Sequence, residues 1–315
     1  MKKKLRYKIL IVVLSFIFLI GCTTKKVEVK LKLKNGDMLQ VEENTEKNYT
    51  NEIEEVTNVN SLKKNVLYSS LVKSIDERKN INMMVTIKEL TVSYVMNNGD
   101  IFEYSSNLNT EQNNKIGKIF SYLMDKSFEV FISEQGKIND IVGLDEIINK
   151  SIENIEFSSQ EEEEMYSKII FEEFGRENTI MKLNNLNDVY KDEAVKEGES
   201  WDKKGEFKEI VFFDTKGEYK LESVSDKNGK IKENTKLKSN KEKSKLTIEN
   251  FIYNFDLTGE ENGEIYLDTE TGIIKNADLM YKSEGIVKVT SENPDEGAKE
   301  YPLKITVKHS ITINK

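Results

Sequence analysis

The residue with the clearest chemistry is Cys22, the only cysteine of 315 residues, in the run Leu19-Ile20-Gly21-Cys22. An aliphatic residue, an aliphatic or small one and a glycine before a cysteine make a bacterial lipobox. Its thiol is alkylated to a diacylglyceryl thioether, and the chain is then cut between Gly21 and Cys22. Four other segments carry residue types that could act chemically. Gly198-Glu199-Ser200-Trp201 has a serine after a glycine, but it lacks the second glycine of a nucleophile elbow and reads as a turn with Trp201 anchoring the next strand. His309 is the only histidine, so a histidine-based triad or a zinc site has little to draw on. It falls on the apolar face of an alternating segment and reads as a packed, mostly neutral imidazole. Glu161–Glu164 is a run of four acids, which fits the first turn of a helix better than a calcium site. Asp268-Thr269-Glu270-Thr271-Gly272 spaces its acids as some calcium loops do, but without the later bidentate glutamate, and reads as a hairpin turn. The 56 acids offer many carboxylate pairs for glycoside hydrolysis, and nothing singles out two of them. No catalytic residue, metal ligand or cofactor is expected, and the ligand-binding residues cannot be named.

Elements must position these residues, and the first is a signal segment. Lys2, Lys3, Lys4, Arg6 and Lys8 precede an apolar run from Ile9 to Ile20. Twelve apolar residues suit a signal h-region and fall short of the roughly 20 that span a bilayer as a helix. The alternative is an uncleaved anchor with an incidental cysteine. Taking away the five basic residues of 1–21 leaves 42 basic and 56 acidic residues, a formal charge of −14. Such a body disfavours nucleic acid and adhesion to anionic lipid through a basic face. The lipid on Cys22 has to hold the protein to the membrane: its two chains contribute about 0.8 kcal/mol per buried CH₂. With one cysteine, no disulfide forms within the chain. Scarce Ala, Arg and Pro beside abundant Lys, Asn and Ile suggest an AT-rich, Gram-positive source.

Residues 27–33 alternate and predict a half-buried strand, and Asn35-Gly36-Asp37 predicts a hairpin turn. A strand is expected from Met38, and further ones near 51–58, 64–74, 81–89 and 92–105, with a turn at Asn97-Asn98-Gly99-Asp100. Thr110 is read as the N-cap of a helix bearing Ile116, Ile119, Phe120 and Leu123 on one face. A strand at Phe128–Ile132 and a helix through Leu144, Ile148 and Ile152 follow. Ser158 and Ser159 have capping-box spacing for a third helix that Gly175 stops. Strands resume after about residue 198. The lysine-rich stretch 226–246 reads as a loop or a long exposed hairpin, and Leu303 to Ile313 as a last strand that closes the sheet and packs on the helices.

The predicted class is therefore α+β: a curved, mainly antiparallel sheet with a cluster of helices packed on one face. The expected organisation is a signal peptide over 1–21, a short lipid tether over 22–26 and a single domain over 27–315. Within it, strands fill 27–105, helices dominate 110–186 and strands fill 200–313.

The order of motifs resembles a family of uncharacterised bacterial membrane-anchored lipoproteins, a domain of unknown function. The resemblance is carried by Leu31-Lys32-Leu33-Lys34-Asn35-Gly36-Asp37, by Phe128-Glu129-Val130 through Ile141-Val142-Gly143-Leu144-Asp145, and by Val195-Lys196-Glu197-Gly198-Glu199-Ser200-Trp201. Gly263-Glu264-Ile265 with Asp268 to Gly272 also fits. It implies an envelope-side fold and no established activity. Three functions stay open: a non-enzymatic binding or scaffold module on the outer face of the cytoplasmic membrane, for a lipid or hydrophobic ligand; an interaction protein for another envelope component; and a carboxylate-dependent hydrolase. An apolar cavity left unfilled by side chains separates the first from the second.

Overall fold

The computed structural model describes residues 26–53, 56–95, 99, 101–108, 114–248, 250–291 and 297–315. Gly21, Cys22 and Thr110 lie outside these residues, as do Asn97, Asn98 and Asp100 of one predicted turn.

Long antiparallel strands make up most of the fold. They are β1 (Lys26–Val27), β2 (Met38–Ile53), β3 (Val56–Ile75), β4 (Ile81–Val95), β5 (Ile101–Ser105), β6 (Ser127–Ile132), β7 (Ile138–Val142) and β8 (Val195–Lys196). The second half adds β9 (Ser200–Lys208), β10 (Phe212–Ser225), β11 (Asn228–Ser239), β12 (Lys245–Ile248), β13 (Phe251–Asp268), β14 (Ile274–Ser291) and β15 (Lys299–Asn314). Between β5 and β8 lie α1 (Lys115–Leu123), α2 (Leu144–Glu153), α3 (Gln160–Phe174) and α4 (Arg176–Asn187). Thirteen strands form one sheet in the order β7-β6-β4-β3-β2-β15-β14-β13-β11-β10-β9, with β5 beside β4 and β12 beside β13.

This overturns the α+β expectation. The chain is mainly β, with one large antiparallel sheet in place of a sheet balanced by a helix cluster. The reason lies in strand length. β3 runs 20 residues and β13 and β14 run 18 each, because period-two alternation continues through stretches poor in apolar residues. The lysine-rich stretch shows it best. In β11, Lys230, Lys232, Lys236 and Lys238 face outward, while Ile231, Glu233, Thr235, Leu237 and Ser239 are buried on the inner face. That strand is neither a loop nor a free hairpin, since it pairs β10 on one side and β13 on the other. Likewise β15 does not close the sheet. It is the central strand, paired to β2 and β14. The candidate strand at 51–58 straddles the end of β2 and the start of β3. The first helix starts at Lys115, where the Asn114 side chain accepts from the Gly117 amide.

The sheet rolls up. Laid flat, its eleven-strand path would separate β7 from β9 by about 48 Å, at about 4.8 Å per strand. Yet α4, about 10 Å across, touches both edges. The Asn184 side chain accepts from the Ile138 amide at 2.7 Å and donates to the Ile138 carbonyl at 3.1 Å, standing in for a neighbouring strand on β7. Lys208 of β9 donates to the Asn178 side chain at 3.1 Å. The helix is thus the stave that joins the two edges of the sheet.

The chain before β2 straps the base. The Lys32 amide donates to the Thr271 carbonyl at 2.7 Å and the Lys191 amide to that of Val29 at 3.1 Å. Strand β1 pairs with β8, and Val27 and Val29 are buried. Gly272 has φ +71, and a Cβ there would lie 1.7 Å from the Lys30 carbonyl oxygen, so only glycine lets the strap pass.

Candidate functional site

The interior is apolar at its ends and charged in its middle. One apolar cluster lies under the helices and includes Ile87, Leu90, Ile119, Phe120, Ile148 and Phe174. A second lies at the base of the late strands around Tyr219, Leu221, Ile231 and Ile265. A third, with Phe207 and Phe213 each edge-on to Tyr281, lies higher in the same strands.

Against the first cluster is a cavity of about 190 Å³. Its walls are Leu39 and Val41 of β2, Met83 and Val85 of β4, Val130 and Ile132 of β6, Leu183 and Leu186 of α4, and Ile311 and Ile313 of β15. Leu31 and Leu33 of the strap and Tyr190 line it at the base, and Tyr190 donates to the Gly272 carbonyl at 2.9 Å. At its inner end the lining turns polar with Glu43, Lys64, Glu173, Lys182 and His309. A further space of about 40 Å³ continues beyond Glu43, Lys182 and His309 toward Lys47, Glu209 and Tyr281.

These charges form a balanced network of three lysines and three glutamates. Glu173, carried inward at the end of α3, lies 2.7 Å from Lys47, 3.4 Å from Lys64 and 3.6 Å from Lys182. Lys47 also pairs with Glu209 at 2.8 Å, and Tyr49 donates to Glu209 at 2.7 Å. Lys64 lies 3.6 Å from Glu43. Burial alone would push the Glu173 carboxyl up, but Lys182, Lys47 and Lys64 outweigh it and hold it well below the usual range. Glu43 is lowered in the same way, against its burial, by Lys64 and His309. Lys182 goes the other way: burial, with repulsion from Lys47 and Lys64, lowers it to about 8 despite Glu173.

A second buried group sits deeper in the late strands. Lys203 of β9 reaches Glu233 of β11 at 2.5 Å and Glu261 of β13 at 3.1 Å, and Asn185 of α4 donates to Glu261 at 3.2 Å. Gly217 faces Lys203 across the β9–β10 pair, and a Cβ there would lie 2.2 Å from the Asn234 carbonyl, so the backbones close up beneath the ammonium. One cation cannot neutralise two carboxylates in a dry site. Burial first, then Glu261, pushes Glu233 up to about 7. Its Oε2 is buried without a hydrogen-bond partner among the described residues.

The residues singled out in the sequence do not converge. His309 lies on the inner face of β15 and lines the cavity, with Nε2 3.5 Å from a Glu43 oxygen. Gly198 (φ +84) turns the chain into β9, where Trp201 packs on Tyr219 with ring centroids 5.7 Å apart. Glu161, Glu162 and Glu163 fill the first turn of α3, whose N-cap Ser159 accepts from the Glu162 amide. Glu162 binds Lys115 at 2.6 Å. Asp268 accepts the amides of Glu270 and Thr271 inside its turn and pairs with Lys275 at 3.0 Å. No group of three or more potential metal ligands occurs among the described residues. The lysines and glutamates of the interior were missed, although charged residues at inward positions of alternating strands are a readable signal. Lys47 follows Leu39, Val41, Glu43 and Thr45 on one face, and Glu233 sits between Ile231 and Thr235.

The model of the Family of unknown function (DUF6263) matches residues 78–274, more than half of the chain. The chain belongs to this family. Of the cavity walls, those from β4 through α4 fall within the match, whereas the strap, β2, β3 and β15 lie outside it. No curated protein matches. Among solved structures, one titled for lipid–protein interactions in lipovitellin is similar with a TM-score of 0.46 at 12% identity, over 90% of this chain and 26% of that one. The chain thus spans about a quarter of lipovitellin. OccK5 (OpdH) of Pseudomonas aeruginosa is similar with a TM-score of 0.23 at 6% identity, over 89% of this chain and 99% of that one.

Proposed function

We propose that this chain is a lipid-anchored extracytoplasmic binding module that holds a small hydrophobic ligand inside its rolled sheet. The observation that carries the reading is the cavity of about 190 Å³ between the sheet and α4, with side chains from both and none filling it. Interiors are otherwise close-packed, and an unfilled apolar cavity of about 150 Å³ accepts a benzene-sized molecule. The same cavity favours ligand binding over a surface-only role in contacting another envelope protein. Glu233 and Glu261, the carboxylates that share Lys203, are buried without room for a sugar, so they lend nothing to a hydrolase.

The anchor follows from the lipobox. The strap begins at Lys26, four residues after Cys22, so the base of the cavity sits next to the membrane surface. No helix among the described residues is long and apolar enough to cross a membrane.

Two experiments test this. Native mass spectrometry of the full chain purified from bacterial membranes should show a bound small amphiphile, and Leu183→Trp, which fills the cavity, should remove it. An empty cavity that takes up no apolar probe would overturn the ligand reading. Cys22→Ser should abolish incorporation of labelled palmitate; a variant that still takes up label would refute lipidation at Cys22.

A further inference from the structure

The cavity is walled by hydrocarbon but ends in charge, and the charges are unequally held. Lys47 has two carboxylates at 2.7 and 2.8 Å. Lys64 has two, at 3.4 and 3.6 Å, and its ammonium stands 5.0 Å from the Phe174 ring centroid. Lys182 has one, Glu173 at 3.6 Å, and it shares that carboxylate with both other lysines. Its ammonium makes no hydrogen bond among the described residues, although it carries three donors. Its side chain is 20% exposed, and it lines both the larger space and the smaller one behind it.

The acceptors are better occupied. Glu43 Oε1 lies 3.6 Å from the Lys64 ammonium, accepts from the Thr45 hydroxyl at 3.4 Å and stands 3.5 Å from His309 Nε2. Glu173 faces three ammonium groups, and Glu209 accepts from Lys47 and Tyr49. The spare capacity at this end of the cavity is therefore donor capacity on Lys182, with the His309 Nε2, buried and without a hydrogen-bond partner among the described residues, lining the same space. It suits a head group that accepts hydrogen bonds, and a carboxylate best of all, since a charge-assisted bond to an ammonium is about twice as strong as a neutral one. Size narrows the choice. Against a cavity of about 150 Å³ for benzene, this one holds an aromatic ring with a short arm, or a chain of about six to eight carbons. A diacyl phospholipid does not fit.

We propose that the cavity takes a medium-chain or aryl monocarboxylate, with the carboxylate on Lys182 and the hydrocarbon running along α4 toward Leu31 and Leu33 of the strap. The inference rests on the hydrophobic-ligand reading and adds the head group and its direction. The head lies deep and the tail points to the membrane-proximal base, so a charge-assisted hydrogen bond is made where water is scarce.

The test uses the full chain in phosphatidylcholine nanodiscs, with empty discs as the blank, and titrates octanoate, 1-octanol and octylamine by calorimetry. Octanoate should bind at least tenfold more tightly than octanol, and octylamine not at all. Lys182→Met should lower octanoate affinity at least tenfold and leave octanol binding unchanged. Equal affinity for octanoate and octanol, or preference for octylamine, would overturn the carboxylate assignment while leaving a hydrophobic-ligand site in place. Binding of none of the three would overturn both. A thermal melt of Lys182→Met controls for folding. Should that variant fail to fold, the ranking of the three probes on the unaltered protein decides.

Discussion

At the scale of single residues, the interior charges set how stability responds to pH. Burial and then Glu261 push the Glu233 carboxyl up from 4.5 to about 7. A folded value above the unfolded one gives stability that is complete below about 4.5 and is lost as pH rises through about 7. The Glu233→Gln variant keeps the shape and the contact with Lys203 but cannot ionise. Its melting temperature should exceed that of the unaltered protein at pH 8 and equal it near pH 4.5; thermal melts at the two values check this. A Gln variant weaker at pH 8 would show that the carboxylate is needed charged. Glu43 and Glu173 work in the opposite sense. Their folded values are lowered, so their contribution is present above the unfolded value and disappears in acid. None of this was legible in composition. A formal net charge of −9 over the 315 residues says nothing of the interior, which holds matched lysines and glutamates whose pairing depends on strands far apart in sequence, such as Lys47 with Glu209.

At the scale of elements, local signals were read well where chemistry is local. The capping spacing at Ser159 and the glycine at 175 place α3, and Gln135-Gly136 and Thr271-Gly272 do mark turns. Glycine as a turn signal fails elsewhere: Gly217, Gly263 and Gly285 read as turns in the sequence but lie inside β10, β13 and β14, where a Cβ would strike the neighbouring strand, and Asn35-Gly36-Asp37 makes no hairpin, since β1 pairs with β8 and not with β2. The helix that matters most, α4, was not distinguished, because its sequence has no strong apolar face. It presents polar groups inward instead, Asn184 to β7 and Asn185 to Glu261. Asn184→Ala should leave the Ile138 amide and carbonyl of the β7 edge without their partner, costing about 1–3 kcal/mol. Hydrogen exchange should speed up at Ile138 first, and unchanged exchange there would show that water replaces the side chain at no cost. The strap offers a second test. Gly272→Ala drives a methyl into the Lys30 carbonyl, so the segment 26–33 should lift from the base. Trypsin should then cut at Lys30 and Lys32 faster than in the unaltered protein, with the sheet still intact.

At the scale of the whole molecule, alternation identifies strands but not their neighbours. Residues 303–313 are plainly a strand in the sequence, yet whether that strand is an edge or the centre depends on pairings with β2, more than 200 residues earlier. The structure makes β15 the hinge of the fold. On one side lie β2, β3, β4, β6 and β7; on the other lie β14, β13, β11, β10 and β9. Deleting the chain after Pro302 therefore splits the sheet instead of trimming it. The buried side chains lost are Leu303, Ile305, Val307 and Ile311, each contributing about 1.5–3 kcal/mol. Together that is about 6–12 kcal/mol, comparable to the whole stability of an ordinary domain. The strands left on either side would also face water with their inter-strand amides and carbonyls unpaired, a second cost that the helices on the far side of the roll cannot offset. The truncated chain should show no cooperative thermal transition by circular dichroism and should be degraded by protease under conditions that spare the full chain. A cooperative melt in the truncated chain would mean that β2 and β14 can pair directly, and that the sheet tolerates a smaller circumference. The same long-range pairing makes folding slow: loop closure across most of the chain precedes the contacts that stabilise it. Refolding from denaturant should be slow and leave β2 and β15 as the last strands to gain exchange protection, after the hairpins β10–β11 and β13–β14 have formed.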